Sequence, residues 1–345
     1  MRKVTLGKSG LEVSAVGFGG IPIQRVSSPE AERAIHAALD AGVTFFDTAA
    51  GYGDSQTKIG RAIKGRRDGL VLASKSGQRT REGFLADVER SRAELGADVI
   101  DLYQLHGVNN DQTWDQVRAP GGALEGLLEA RERGWVRHVG VSGHHLDLAV
   151  RLVGAEDVFE TVQFPFNLVT AEPAEKLIPL ARRRGVGFIV MKPLCGGQYD
   201  DAELAFRFLN AYPDLVPIPG IERPEEIEQI AGIVEAGETL TGDARTRADA
   251  IAAELGKRFC RRCGYCMPCK QGVPIMLAMV FDSFIKRFAP DQLAAGPAKA
   301  VAEGAPKCVE CGACEAKCPY DLPIIETVKA SLAKARAAID DRGRA

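Results

Sequence analysis

The sequence predicts an α/β protein: a (β/α)₈ TIM barrel with an N-terminal β-hairpin, then a small, mainly α-helical domain rich in cysteine. Three observations predict it. Apolar runs of Val, Ile, Phe and Leu alternate with amphipathic helical stretches from about Val13 to Glu238. Eight such runs start roughly 25 to 36 residues apart, the length of a βαβ unit. Near Gly242 the pattern changes, and eight of the nine cysteines crowd between Cys260 and Cys318. The expected domains are therefore residues 1–241 and 242–345.

Taken in order, Val4–Leu6 and Leu11–Val13 flank Gly7-Lys8-Ser9-Gly10 and read as a hairpin under the barrel floor. The strand candidates are Val13–Phe18, Thr44–Asp47, Leu70–Lys75, Ile100–Leu105, Val136–Val141, Thr161–Phe164, Gly187–Met191 and Leu215–Ile218. Ser28-Pro29-Glu30 opens a helix with Ser28 as N-cap and an acidic first turn. Gly42, Gly96, Gly134 and Gly185 stand where helices should stop. The Gly17–Gly20 run is not a dinucleotide fingerprint, because it lacks the G-x-G-x-x-G spacing and Pro22 follows it.

Beyond the barrel, Asp243–Phe259 reads as a helix that carries the chain away. A cysteine run, a helical segment, a small-residue linker around Ala289–Pro306, a second cysteine run and a helix to about Ile339 follow. The two runs repeat. Cys260 and Cys308 are 48 positions apart, and a Pro-Ile pair follows each run, Pro274-Ile275 and Pro323-Ile324.

Composition bounds the function. Of 345 residues, 46% are apolar and 26% charged, which is globular and not disordered. A formal charge of −2 gives no reason to expect a nucleic-acid partner. No apolar run is long enough to span a membrane, and the basic N-terminus has no apolar segment behind it to make a signal peptide. Clustered cysteines in an unsecreted chain point to metal binding, so the reducing cytoplasm is the expected location.

Four polar residues close three successive barrel strands, where TIM-barrel active sites lie. Asp47 ends Phe45-Phe46-Asp47, with Tyr52 just beyond; Lys75 ends Leu72-Ala73-Ser74-Lys75; His106 ends Leu102-Tyr103-Gln104-Leu105-His106. Singly, each reads as an ion pair, a loop aromatic or a strand-end histidine. Together they form a unit for carbonyl reduction. A tyrosine hydroxyl is a weak acid at neutral pH unless a lysine stabilises its phenolate. The aspartate holds the lysine charged, and a neutral histidine polarises the carbonyl oxygen.

On these motifs, and on Leu6-Gly7-Lys8-Ser9-Gly10-Leu11-Glu12-Val13-Ser14, residues 1 to about 240 resemble the aldo-keto reductases. The resemblance implies an NADP or NAD cofactor, a small carbonyl or alcohol substrate, and Asp47, Tyr52, Lys75 and His106 as catalytic residues. It implies that Ser142 and Gln163 hold the nicotinamide carboxamide, and that Pro193, Leu194, Gly196 and Gly197 line the pyrophosphate. Gly143 stands where many members carry a carboxamide, and Met191 replaces a stacking aromatic. Gly220 and Glu226 occupy positions that are basic in many NADP-dependent members; Arg223 is the candidate substitute. NADP and NAD both stay open.

The run Cys308-x₂-Cys311-x₂-Cys314-x₃-Cys318-Pro319 has the bacterial ferredoxin spacing; Cys260-x₂-Cys263-x₂-Cys266-x₂-Cys269 is one residue shorter in its last gap. The ferredoxin resemblance implies two [4Fe–4S] clusters. One takes Cys260, Cys263, Cys266 and Cys318, the other Cys308, Cys311, Cys314 and Cys269. Structural zinc is the rival, although zinc sites usually divide their ligands into two separated pairs. Three functions follow: a carbonyl reductase or alcohol dehydrogenase, an electron-transfer component serving a redox protein, or a non-catalytic subunit. The complete tetrad argues against the last.

Overall fold

The computed structural model describes residues 1–286 and 288–342. The chain forms two compact units, Met1–Ala248 and Asp249–Ala345, which divide inside the helix Gly242–Gly256.

In the first unit, β1 (Lys3–Thr5) and β2 (Glu12–Ser14) form an antiparallel hairpin in the register Lys3 to Ser14. Val4 and Val13 face each other and are buried. The hairpin lies against the start of a later strand, where Lys8 N donates to Gly185 O at 2.5 Å. That is the floor of the barrel.

Eight strands then run parallel in chain order: β3 (Phe18–Gly19), β4 (Phe45–Asp47), β5 (Val71–Ser76), β6 (Ile100–Leu105), β7 (Val136–Ser142), β8 (Thr161–Pro165), β9 (Gly187–Met191) and β10 (Val216–Ile218). Parallel strands covered by helices are buried on both faces and read as continuous apolar runs. Every residue of Val71–Ser76 and Ile100–Leu105 is buried. The sheet closes where Gly17 N and Gly19 N donate to Pro217 O and Pro219 O, both at 2.8 Å. A Cβ at Gly19 would lie 2.5 Å from Pro219 O, so this seam needs glycine.

Three expectations are corrected. The run Val13–Phe18 is not one strand: Val13 and Ser14 pair with Lys3 and Val4, and the barrel strand begins only at Phe18. Ser14 Oγ donates to Val16 O at 2.6 Å in the bend between them. The N-cap of the helix Ser28–Asp40 is Ser27, not Ser28, because Ser27 stays extended and completes a capping box with Glu30.

The third correction lies in the second unit. Ala289–Pro306 is no linker: it is helical through Pro290–Leu293, Ala294–Ala298, Lys299–Gly304 and Ala305–Lys307. Alanine favours helix, and the wide turn at Ala294–Ala298 accommodates Pro297, which lacks an N–H. Ala298, Val301 and Ala305 pack with Phe281, Ile324 and Val328 in the core of this unit. The helix Ile324–Arg342 covers that core.

Candidate functional site

Parallel strands bring their C-terminal ends to one face of the barrel. Asp47 is the last residue of β4, Lys75 lies near the end of β5, and His106 follows β6. Lys75 Nζ donates to Asp47 Oδ1 at 2.7 Å and to Thr48 O at 2.5 Å. Both side chains are almost fully buried, at 1% and 4% exposure, where an isolated charge would be very costly. Burial raises the Asp47 carboxyl above its ordinary range against the pull of Lys75. Burial works to lower the Lys75 pKa, but the charges of Asp47 and Tyr52 outweigh it and the net shift is upward.

Tyr52 sits in the turn before the helix Ser55–Ala62, held by its N–H to Ala49 O at 3.0 Å. Lys75 Nζ lies 5.0 Å from the centre of its ring. His106 meets the same ring edge-on, with centroids 5.7 Å apart. Arg79 donates to the carbonyls of His106 and Gly107 at 2.9 and 3.1 Å, fixing the backbone that carries the imidazole. The fold thus gathers all four residues of the sequence-derived tetrad at one mouth.

Ser142, the last residue of β7, is the register partner of Gln163 in the middle of β8. Ser142 Oγ donates to Leu105 O at 3.3 Å and accepts from Gly107 N at 3.2 Å. Met191, half-buried at the end of β9, pairs with Pro165 and Ile218 on its two sides. In the loop that follows, Lys192, Cys195, Gly196 and Gly197 all take positive φ, and the turns close through Cys195 N to Lys192 O and Gly197 N to Leu194 O. Non-glycine residues in this region cost about 1–3 kcal/mol each and cluster at functional loops. Pro193, within the first turn, is buried. Asn167 braces it, donating to Lys192 O at 2.8 Å.

At the last barrel loop the charges are already matched. Gly220 bridges to Gly19 across the seam. Glu226 Oε1 pairs with Arg223 at 2.8 Å, and its Oε2 accepts from Glu222 N at 2.9 Å, capping the helix Pro224–Ala236. Arg25 binds Glu222, with Nε donating to Oε2 at 2.6 Å. Trp114 is buried against Phe159, and His145 Nδ1 caps the helix Leu146–Ala155. Cys195 is buried.

In the second unit, Cys260, Cys263, Cys266 and Cys318 line one pocket with Met276 and Ile324. Burial, then the neighbouring Cys260, Cys263 and Cys318, pushes the Cys266 thiol up to about 12. Cys269, Cys308 and Cys314 pack against the same apolar core, and Cys311 is exposed. Among the described residues no three His, Cys, Asp or Glu side chains are placed to hold a single metal ion. The four thiols of the pocket border a shared space instead.

Residues 15–203 match the aldo/keto reductase family model, over half of the chain. The chain belongs to the aldo/keto reductase family. Residues 259–323 match a 4Fe-4S dicluster domain and contain all eight clustered cysteines. The aldo-keto reductase YhdN of Bacillus subtilis is 30% identical over 217 residues, covering 57% of this chain and 63% of that protein. This chain therefore spans less than two thirds of that relative. The aldo-keto reductase AKR11C1 from Bacillus halodurans, in its holo form, superposes with a TM-score of 0.62 at 23% identity, covering 74% of this chain and 96% of that one. An aldo-keto reductase from Klebsiella pneumoniae in complex with NADPH gives 0.61 at 22% identity, covering 73% and 95%. At such identities the likeness establishes the fold.

Within this aldo/keto reductase barrel, sequence reasoning passed over three residues. Arg79 and Asn167 act on backbone carbonyls, which no side-chain pattern reveals. Gln104 did leave a signal. It is an amide in an otherwise mostly apolar strand, and it is fully buried.

Proposed function

We propose that the barrel carries out NAD(P)H-dependent reduction of a small aldehyde or ketone, or the reverse oxidation of an alcohol or sugar hydroxyl. The observation that carries this reading is the buried Asp47–Lys75 pair with the Tyr52 ring 5.0 Å from the ammonium and His106 against its edge. A nicotinamide cofactor, when bound, supplies or accepts hydride at the substrate carbon. Tyr52 gives its phenolic proton to the carbonyl oxygen, and the Lys75 ammonium stabilises the phenolate left behind. Asp47 keeps that ammonium charged and in place. His106 donates a hydrogen bond to the substrate oxygen and orients it. Alcohol oxidation runs the same proton transfer backwards.

The residues suited to hold the cofactor are Ser142, Gln163 and Met191 at the ring, and Pro193, Leu194, Gly196 and Gly197 at the pyrophosphate. The successive positive-φ residues of that loop are backbone that can turn N–H groups toward an anion. Gly220, Arg223 and Glu226 would meet the adenosine end. Arg223 and Arg25 each hold a glutamate there, so a 2′-phosphate must compete for them and the preference for NADP over NAD is small.

The cysteine unit fits two [4Fe–4S] clusters in donor number and type, with Cys318 crossing over to join Cys260, Cys263 and Cys266. Such clusters cross-link a small domain and carry single electrons. Hydride chemistry moves two electrons together, so the carbonyl reaction does not pass through them. A panel of aldehydes, ketones and alcohols, followed by nicotinamide absorbance, tests the proposal. Turnover must appear and must collapse in Tyr52→Phe while cofactor titration stays normal. No turnover on any member, or equal turnover by Tyr52→Phe, defeats it.

A further inference from the structure

Asp47 Oδ2, Gln104 Oε1 and Thr161 Oγ1 are among the buried oxygens of the barrel that have no hydrogen-bond partner among the described residues. Gln104 stands on β6 in register with Lys75 on β5. Its Nε2 donates to Gln163 Oε1, on β8, at 2.8 Å. Between them runs β7, which puts Gly140 opposite both Gln104 and Thr161. A Cβ at Gly140 would fall 3.2 Å from Gln104 Cγ and 2.1 Å from Thr161 Oγ1. Any side chain there would collide with the Thr161 hydroxyl and crowd Gln104 where it reaches across the strand.

The bond decides which way the Gln163 amide faces. An amide has one accepting oxygen and one nitrogen with two donors. With Oε1 committed to Gln104, the amino group remains for the other side, where Asp47 stands. The Gln163 amide lies near enough to favour a charged Asp47 carboxyl, although Oδ2 is outside hydrogen-bond geometry. A flipped amide would set its oxygen against the carboxylate, acceptor against acceptor.

We propose that Gln104 is a positioning residue. It locks the Gln163 amide so that its two N–H groups face the Asp47 carboxylate and the carboxamide oxygen of a nicotinamide, tying the cofactor subsite to the Asp47–Lys75 pair. The inference rests on the hydride-transfer reading for its cofactor and for the place of Gln163 at the nicotinamide ring.

Gln104→Met keeps length and volume and removes the donor. The test compares wild type, Gln104→Met, Gln163→Met and the double variant, all with clusters intact, by two measurements. Cofactor-free denaturation reads the coupling between the two residues; fluorescence titration reads the Kd of reduced nicotinamide. Gln104→Met should weaken that Kd about tenfold, and by less than about twofold when Gln163 is already Met. Gln104→Glu should restore affinity only at low pH, where its protonated carboxyl can donate; a packing role alone would not produce that pH dependence. Wild-type affinity in Gln104→Met, a full penalty in the double variant, or no coupling in the cofactor-free protein each overturns the proposal. If the wild type itself binds no nicotinamide, the hydride-transfer reading fails and this role falls with it.

Discussion

The two units hold their reactive groups in opposite ways. The barrel supplies both sides of its buried charge: Lys75 has Asp47 at 2.7 Å and Thr48 O at 2.5 Å. The cysteine unit gathers thiols around a shared space, where burial and the other cysteines push Cys266 up to about 12. One site is organised by the chain itself. The other is built of thiols, which bind metal as thiolate, so a metal centre would complete it. The barrel should therefore keep its structure when iron is removed, and the cysteine unit should not.

The largest expected effect breaks the barrel side alone. Tyr52→Phe should lower kcat by about 10²–10⁴ on a verified substrate, the usual worth of general acid catalysis, and leave iron content unchanged. A simultaneous loss of iron would mean that the two units are not independent.

Lys75→Met comes next. It leaves Asp47 buried without its cation, and breaking such a pair costs about 3–5 kcal/mol of stability. Both tryptophans, Trp114 and Trp135, lie in the barrel unit, so their fluorescence during denaturation reports it selectively. The pH dependence gives the sign. Because the Lys75 pKa is raised in the folded protein, its contribution is complete below the ordinary lysine value of 10.5 and is lost as pH climbs through the folded value. Wild type should lose that increment at alkaline pH; Lys75→Met should not.

A smaller effect sharpens the cysteine side. Cys266→Ala and Cys318→Ala should each reduce iron by about half, and the double variant should lose no more than either alone. Additive losses in the double variant would break the crossover grouping. Barrel turnover should be the same in all three.

The smallest effect is in cofactor choice. NADPH and NADH should differ in kcat/KM by less than about tenfold, since exposed arginines already paired with glutamate contribute little to a new ion pair. Kinetics with both cofactors on one substrate measure it, and a thousandfold preference for NADPH would contradict the matched charges at Arg223 and Arg25.

What the sequence made legible follows the same division. Barrel strands were readable because parallel strands buried on both faces are unbroken apolar runs, and Asp47, Lys75 and His106 were readable because they break the apolar pattern at strand ends, with Tyr52 just beyond one of them. The hairpin and first strand blurred together, since Val13 to Phe18 is one apolar run that serves two sheets. The Ala289–Pro306 segment misled because its glycine, proline and alanines resemble a linker until their burial against Phe281 and Val328 is known. The Gln104–Gln163 bond was out of reach for a different reason. It crosses an intervening strand, and only the register of β6, β7 and β8 shows that Gly140 leaves the gap open. Glu226 was legible as a charge but not as a helix cap already bound to Arg223.

The proposed carbonyl chemistry in the barrel should not run through the iron–sulfur unit. Anaerobic stopped flow tests it directly: reduced nicotinamide cofactor is mixed with oxidised, cluster-loaded protein, without carbonyl substrate or redox partner, and the visible cluster absorbance is followed. No bleaching is expected on the timescale of turnover; bleaching at a rate matching kcat would contradict this separation and make electron transfer the leading function.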